Sequence, residues 1–196
     1  TKMTDEIMRN VLTSYFEKSE INLENKYDFS FGTSEWCDET WNSHDGCQNG
    51  CIYCYAWATD YRYNRDRRKF YGNKTIRKKK WCKSWQDRNN KWVVMYPSVH
   101  DTTIETYKDA FHVVKNMVKA KNVHCLFVSK PDFNVMKNVP EHLEKYKDKI
   151  QFRFTITTNN QNQINKWEGN SPSFESRFKS LKFLYNKGYK TSVSIE

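Results

Sequence analysis

The 196-residue sequence has no run of roughly 18 apolar residues, the length that a membrane-spanning helix needs. A basic start followed by a continuous apolar run is also missing from TKMTDEIMRNVLTSYF, which carries acids and an amphipathic pattern and is not expected to be a signal peptide. Both absences point to the cytoplasm, where thiols stay reduced, and exclude a disulfide framework as the first reading of the cysteines. Apolar residues are scarce at 37%, but aromatics reach 16%, so the core is expected to rest on Phe, Tyr and Trp. There is no internal repeat and no second composition class, which predicts one domain.

Acidic charge is short, and locally so. The net charge is +10, yet residues 62–91 alone hold 13 Lys and Arg against two acids, a net of +11 that leaves −1 for the rest. The same segment carries Tyr63, Phe70, Tyr71, Trp81 and Trp85. Cations interleaved with aromatics suit a polyanion with stackable bases, so nucleic acid is the expected partner of 62–91; a solvated basic insertion is the alternative.

The hydrophobic pattern predicts a helix over residues 4–18 and a short strand over Tyr27–Phe31 or a few residues later. A helix from Tyr55 then runs into the basic segment. Strands are expected over Lys91–Tyr96, Val123–Val128, Gln151–Thr157 and Tyr189–Ile195. Between them lie a helix opened by a capping box at Thr102 and Glu105, a helix over Asp132–Lys147 broken near Pro140, and one from Ser171-Pro172 to Lys187 with Gly188 as its left-handed cap. This alternation predicts an α/β fold with a parallel sheet. The domain division expected is a helical extension over 1–35 and a core over 36–196. The last strand ends at the final residues with nothing left to cover it, so the core is expected to be incomplete after its fifth strand.

Residues 46–56, GCQNGCIYCYA, concentrate the chemistry. Cys47, Cys51 and Cys54 are spaced by three and two residues. A structural zinc takes four protein ligands, and His44 or the distant Cys37, Cys82 and Cys125 would have to complete such a set. That would make a zinc-bearing nucleic-acid-binding module without catalysis. An iron–sulfur cube takes one ligand per iron, so three thiolates leave one iron open.

C-x3-C-x2-C with an aromatic, here Tyr53, before the last cysteine resembles the signature of the radical S-adenosylmethionine superfamily, and WEGNSPSFESRF resembles a segment of its spore photoproduct lyase-like branch. The resemblance runs from about Trp41 to Glu196. It implies a partial (β/α)6 TIM-like barrel in which Cys47, Cys51 and Cys54 hold a [4Fe-4S] cluster. S-adenosylmethionine would chelate the open iron and be cleaved reductively to a 5′-deoxyadenosyl radical. It also implies an external electron donor of flavodoxin or ferredoxin type, and Tyr53 packed near the adenine. Ser98 and Asp101 (with His100 between them), Ser129 and Lys130, Thr157 (with Thr158 and Asn159), and Glu196 follow successive strands, where such folds bind ligands. The glycine-rich motif that grips the methionine amine in that superfamily is absent, and Ser98 or Asp101 would substitute. Glu168 and Arg177 occupy the acid and arginine positions of the lyase-like segment, which implies an Arg177 pairing with the methionine carboxylate.

Overall fold

Alternation in WVVMY, VHCLFVS and IQFRFT puts one apolar face on each strand, and all three become strands of one sheet. The computed structural model describes residues 32–63 and 85–195, together with the backbone of 77–78. The helix expected over 4–18, the strand over Tyr27–Phe31, most of the basic segment and Glu196 lie outside the described residues.

The sheet is built from β1 (Glu39–Thr40), β4 (Trp92–Tyr96), β5 (Val123–Ser129), β6 (Ile150–Thr155) and β7 (Lys190–Ser194). All neighbours are parallel, the order is that of the sequence, and the sheet is open. This is the expected α/β architecture of an unclosed barrel. A separate two-stranded ribbon pairs β2 (His44–Asp45) antiparallel with β3 (Arg77–Lys78), tying the approach to the cysteine loop to the basic segment.

The helices are α1 (Tyr55–Arg62), α2 (Tyr107–Lys119), α3 (Phe133–Met136), α4 (Val139–Leu143), α5 (Gln161–Glu168) and α6 (Phe174–Asn186). The capping box does not form: Thr103 and Thr106 bond within a turn, and α2 starts only at Tyr107. Pro140 stands in the first turn of α4, where its missing N–H costs nothing, so the break falls just before it. Helix α5 was not expected from the sequence; Asn160 caps it by accepting from the N–H groups of Asn162 and Gln163. Gly188 (φ 80°) ends α6 as anticipated.

One sheet face carries Val94, Tyr96, Phe127, Phe152 and Phe154, all fully buried against Val114, Met117, Leu143 and Leu184 from the helices. Burying each such side chain stabilises the fold by about 1.5–3 kcal/mol. The aromatic core inferred from composition is present: Tyr96–Phe127, Phe111–Phe127, Phe127–Phe152 and Phe152–Phe154 form a continuous run of ring contacts at 5.2–6.2 Å.

Candidate functional site

The parallel strands deliver their carboxyl ends to one edge of the sheet, and the cysteine loop sits there. Asn42, two residues after β1, holds the turn after β4: its Oδ1 accepts from the N–H groups of Ser98 and Val99 (2.8 and 2.9 Å), and its Nδ2 donates to Ser98 Oγ (2.8 Å). Tyr55 Oη donates to the Ser98 carbonyl. Ser98 is therefore beside the loop, but as part of its support.

Asp101 is the second fixed point. Its carboxylate accepts from Asn49 Nδ2 (2.8 Å), Thr102 N–H (2.8 Å), Lys130 N–H (3.0 Å) and Ser129 Oγ. One side chain thus joins the cysteine loop to the carboxyl end of β5. Burial still draws its carboxyl upward, against Ser129 and Lys130, which favour the charged form.

Cys47, Cys51 and Cys54 are free thiols, all half-buried. Left-handed glycines, Gly46 (φ 89°) and Gly50 (φ 69°), bracket the first gap and let the chain fold back within four residues. Cys54 is the N-cap of α1, and its Sγ accepts from Trp57 N–H at 3.5 Å. Burial pushes the Cys47 thiol up to about 12 and the Cys51 thiol to about 11. Both would need a cation to hold them as ligands, and metal binding would release their protons.

Residues 167–170 lock the loop from the opposite side. Trp167 carbonyl accepts from Ile52 N–H (3.0 Å), and Asn170 N–H donates to Asn49 carbonyl (2.7 Å). Gly169 (φ 58°) is where the two segments meet; a Cβ there would stand 2.5 Å from the Asn49 carbonyl oxygen. Only glycine allows this approach.

Glu168 is the hub. It is buried, and its carboxylate accepts from Tyr53 Oη, Thr157 Oγ1 (3.0 Å), Ser171 Oγ (3.2 Å) and Arg177. Although burial alone would raise its carboxyl, Arg177 and Tyr53 hold it below the usual carboxylate range. Arg177 has no exposed surface. Its other donors go to the carbonyls of Pro172 (2.8 Å) and Thr155 (3.2 Å). Glu168 and Arg177 are brought together as a buried ion pair, and the guanidinium expected to meet the methionine carboxylate bonds within the protein instead. Lys130 is the cation on the loop's side: its Nζ lies 5.5 Å from the centre of the Tyr53 ring.

Beside this hub is a cleft of about 330 Å³ lined by Tyr53, Thr157, Thr158, Gln163, Trp167 and Glu168. His44 is not near the thiols in a ligating sense. Its Nδ1 faces Ser43 Oγ (2.8 Å) and its Nε2 faces Asp109 (3.8 Å). Cys125 is buried within β5, Cys37 Sγ donates to the Thr33 carbonyl, and Cys82 lies outside the described residues. Among the described residues no three His, Cys, Asp or Glu side chains converge on one metal-ion position. A cube accepts each thiolate on its own iron and requires no such single point; three reduced thiols on one turn fit that donor set.

Asn42, Asn49, Gly169 and Trp167 escaped sequence reasoning. The signal available was a glycine directly after an acid in WEGN and two asparagines, one before the cysteines and one between the first two, too common a pattern to single out.

No protein-family model matches the chain, and no curated protein does. Solved structures do. The chain resembles spore photoproduct lyase complexed with dinucleoside spore photoproduct (TM-score 0.53, 20% identity, 78% of this chain and 43% of that one). It also resembles a variant of that lyase with bound AdoMet and dinucleoside spore photoproduct (0.51, 21%, 76% and 43%), and another variant over 87% of this chain and 48% of that one (0.50, 18%). The chain thus spans under half the length of these structures, and at such identity the likeness establishes the fold.

Proposed function

We propose that this chain is the core of a radical S-adenosylmethionine enzyme, in which Cys47, Cys51 and Cys54 hold a [4Fe-4S] cluster with one iron open to S-adenosylmethionine. The observation that supports this best is a three-thiol loop at the carboxyl edge of the parallel sheet, walled by a cleft of nucleoside dimensions, in a fold like that of a lyase whose structure contains AdoMet. When bound, the pair of cofactors supplies one-electron reductive cleavage of the sulfonium and hence a hydrogen-abstracting 5′-deoxyadenosyl radical.

The protein's own tasks are binding and orientation. Asp101 through Asn49, and Gly169 through the Asn49 and Gly50 carbonyls, set the path of the loop. Glu168, neutralised by Arg177, fixes the Tyr53 ring as one wall of the cleft. Thr157, Thr158, Gln163 and Trp167 offer hydroxyls, an amide and a ring to ribose and adenine. With Arg177 engaged inside the protein, Lys130 takes over the methionine carboxylate. Ser129 holds Asp101, Ser98 supports the loop, and Glu196, two residues after β7 in the sequence, is a further candidate. Core and extension divide at 36–196 and 1–35, the electron comes from a flavodoxin- or ferredoxin-type donor in the cytoplasm, and nucleic acid is the substrate, gripped by 62–91.

The test is anaerobic reconstitution with iron and sulfide. The expected result is a brown protein with visible iron–sulfur absorbance that forms 5′-deoxyadenosine from S-adenosylmethionine and dithionite, and a Cys51→Ala variant that forms none. A colourless protein holding one tight zinc would overturn the reading.

A further inference from the structure

The sheet has a second face on which charge interrupts an apolar surface. In β/α barrels the inward positions are filled by branched apolar side chains. Here the parity that places Val94, Phe127 and Phe152 in the core turns Val93, Met95, Leu126 and Val128 to the other side, together with His124, Gln151, Arg153 and Lys190. At the amino ends of the strands this face forms a cavity of about 280 Å³. Lys91, Lys149, Arg153 and Lys190 line it, with only Glu35 and Asp148 as acids, so four cations less two carboxylates leave +2 with His124 neutral.

Lys91, Arg153 and Lys190 form no ion pair among the described residues. Lys149 donates to the carbonyls of Val118 and Ala120 (both 2.9 Å), which fixes its charge in the wall instead of leaving it to swing into water. Arg153 is laid over the Trp36 ring at 5.0 Å, while Trp36 remains 46% exposed. Burial and the charges of Lys91, Lys149 and Lys190 depress the His124 pKa, as expected where ammonium groups converge. Like charges around one hollow repel, and a dianion would reverse that cost. None of these groups serves the thiol site, which lies at the other end of the strands, on the order of 20 Å away along β5.

We infer that this cavity binds a phosphate group carried by a nucleotide or by a nucleic-acid strand, with the open part of the Trp36 ring as the platform for the base. A phosphate monoester carries close to two negative charges at neutral pH, matching the surplus. A guanidinium and three ammoniums supply its charge-assisted donors, and base stacking on an aromatic needs no sequence preference.

Thermal unfolding and calorimetric titration with inorganic phosphate, at fixed ionic strength set by sodium chloride, test this without any cofactor loaded. The wild-type melting temperature should rise with phosphate, and the His124 titration, followed by NMR, should move upward. The double variant Lys91→Gln/Lys190→Gln should bind phosphate on the order of tenfold or more weakly and lose the His124 response. Lys182→Gln, an exposed lysine of α6, should retain both. Adenosine monophosphate binding more tightly than phosphate, with the gain abolished by Trp36→Leu, supports the site with a free nucleotide as source. A single-stranded oligonucleotide that displaces the mononucleotide supports it with a strand as source. No response to phosphate beyond that to chloride, or an equal response in wild type and the double variant, overturns the inference. Because no readout uses iron or S-adenosylmethionine, its failure is separate from failure of the proposed enzymatic function.

Discussion

At the scale of single residues, Glu168 and Arg177 carry more of the site than their positions in the sequence suggest. A buried ion pair is costly to break from one side, because the surviving charge stays in a low-dielectric interior. Arg177→Met is therefore expected to destabilise the protein by about 3–5 kcal/mol, measured by denaturant unfolding. Glu168→Gln should do so as well, whereas Tyr53→Phe, which removes one hydroxyl, should cost only about 1 kcal/mol. Gly169→Ala combines a left-handed backbone with a contact of 2.5 Å to the Asn49 carbonyl. It should displace the cysteine loop and lower cluster occupancy after reconstitution, read as iron per chain. His124 gives the pH dependence. Its folded pKa lies below the ordinary value near 6.5 because burial and three lysines oppose its charge. The unfolded chain then binds a proton that the folded one refuses, so stability should fall as pH drops below about 6.5 and recover in a His124→Gln variant. Thermal melts from pH 7 to 5 in chloride buffers check this.

At the scale of elements, the cysteine loop has almost no regular structure of its own and is held by what flanks it. From the β1 side Asn42 fixes the turn after β4, from β5 Asp101 holds Asn49, and from α5 the 167–170 segment supplies backbone bonds. Asn42→Ala removes three hydrogen bonds and leaves the Ser98 and Val99 N–H groups without this acceptor. A loss of about 2 kcal/mol follows, which for a chain of this size lowers the melting temperature by roughly 4–8 °C. A cheaper outcome, under about 0.5 kcal/mol, would show that the turn after β4 is held without it. The ribbon of β2 with β3 sets the backbone of Arg77 and Lys78 beside the approach to the same loop.

At the scale of the whole molecule, charge is divided between a segment of +11 and a remainder near neutrality. If 62–91 grips single-stranded nucleic acid, neutralising Arg77, Lys78, Lys79 and Lys80 together should flatten the slope of log K against log salt by roughly three, at about 0.7 per phosphate contact. An unchanged slope would remove the segment from the interface. No described helix is long and apolar enough to cross a membrane.

Much of the architecture was legible in the sequence, because local patterns decide it. Period-two apolar runs made the last four strands, and Pro140 and Gly188 punctuated the helices. The strand that leads into the cysteines proved to be Glu39–Thr40, two residues that only pairing with β4 identifies. Helix α5, polar on most sides, was invisible because its stability comes from the Asn160 cap and from burying Ile164 and Glu168. The fate of Arg177 was decided by tertiary structure alone: spacing can bring an arginine to an acid, but only burial and the count of its donors reveal that both face inward. The cationic hollow beneath the sheet arises in the same way, since lysines scattered from 91 to 190 become neighbours only when parallel pairing lines up the ends of their strands.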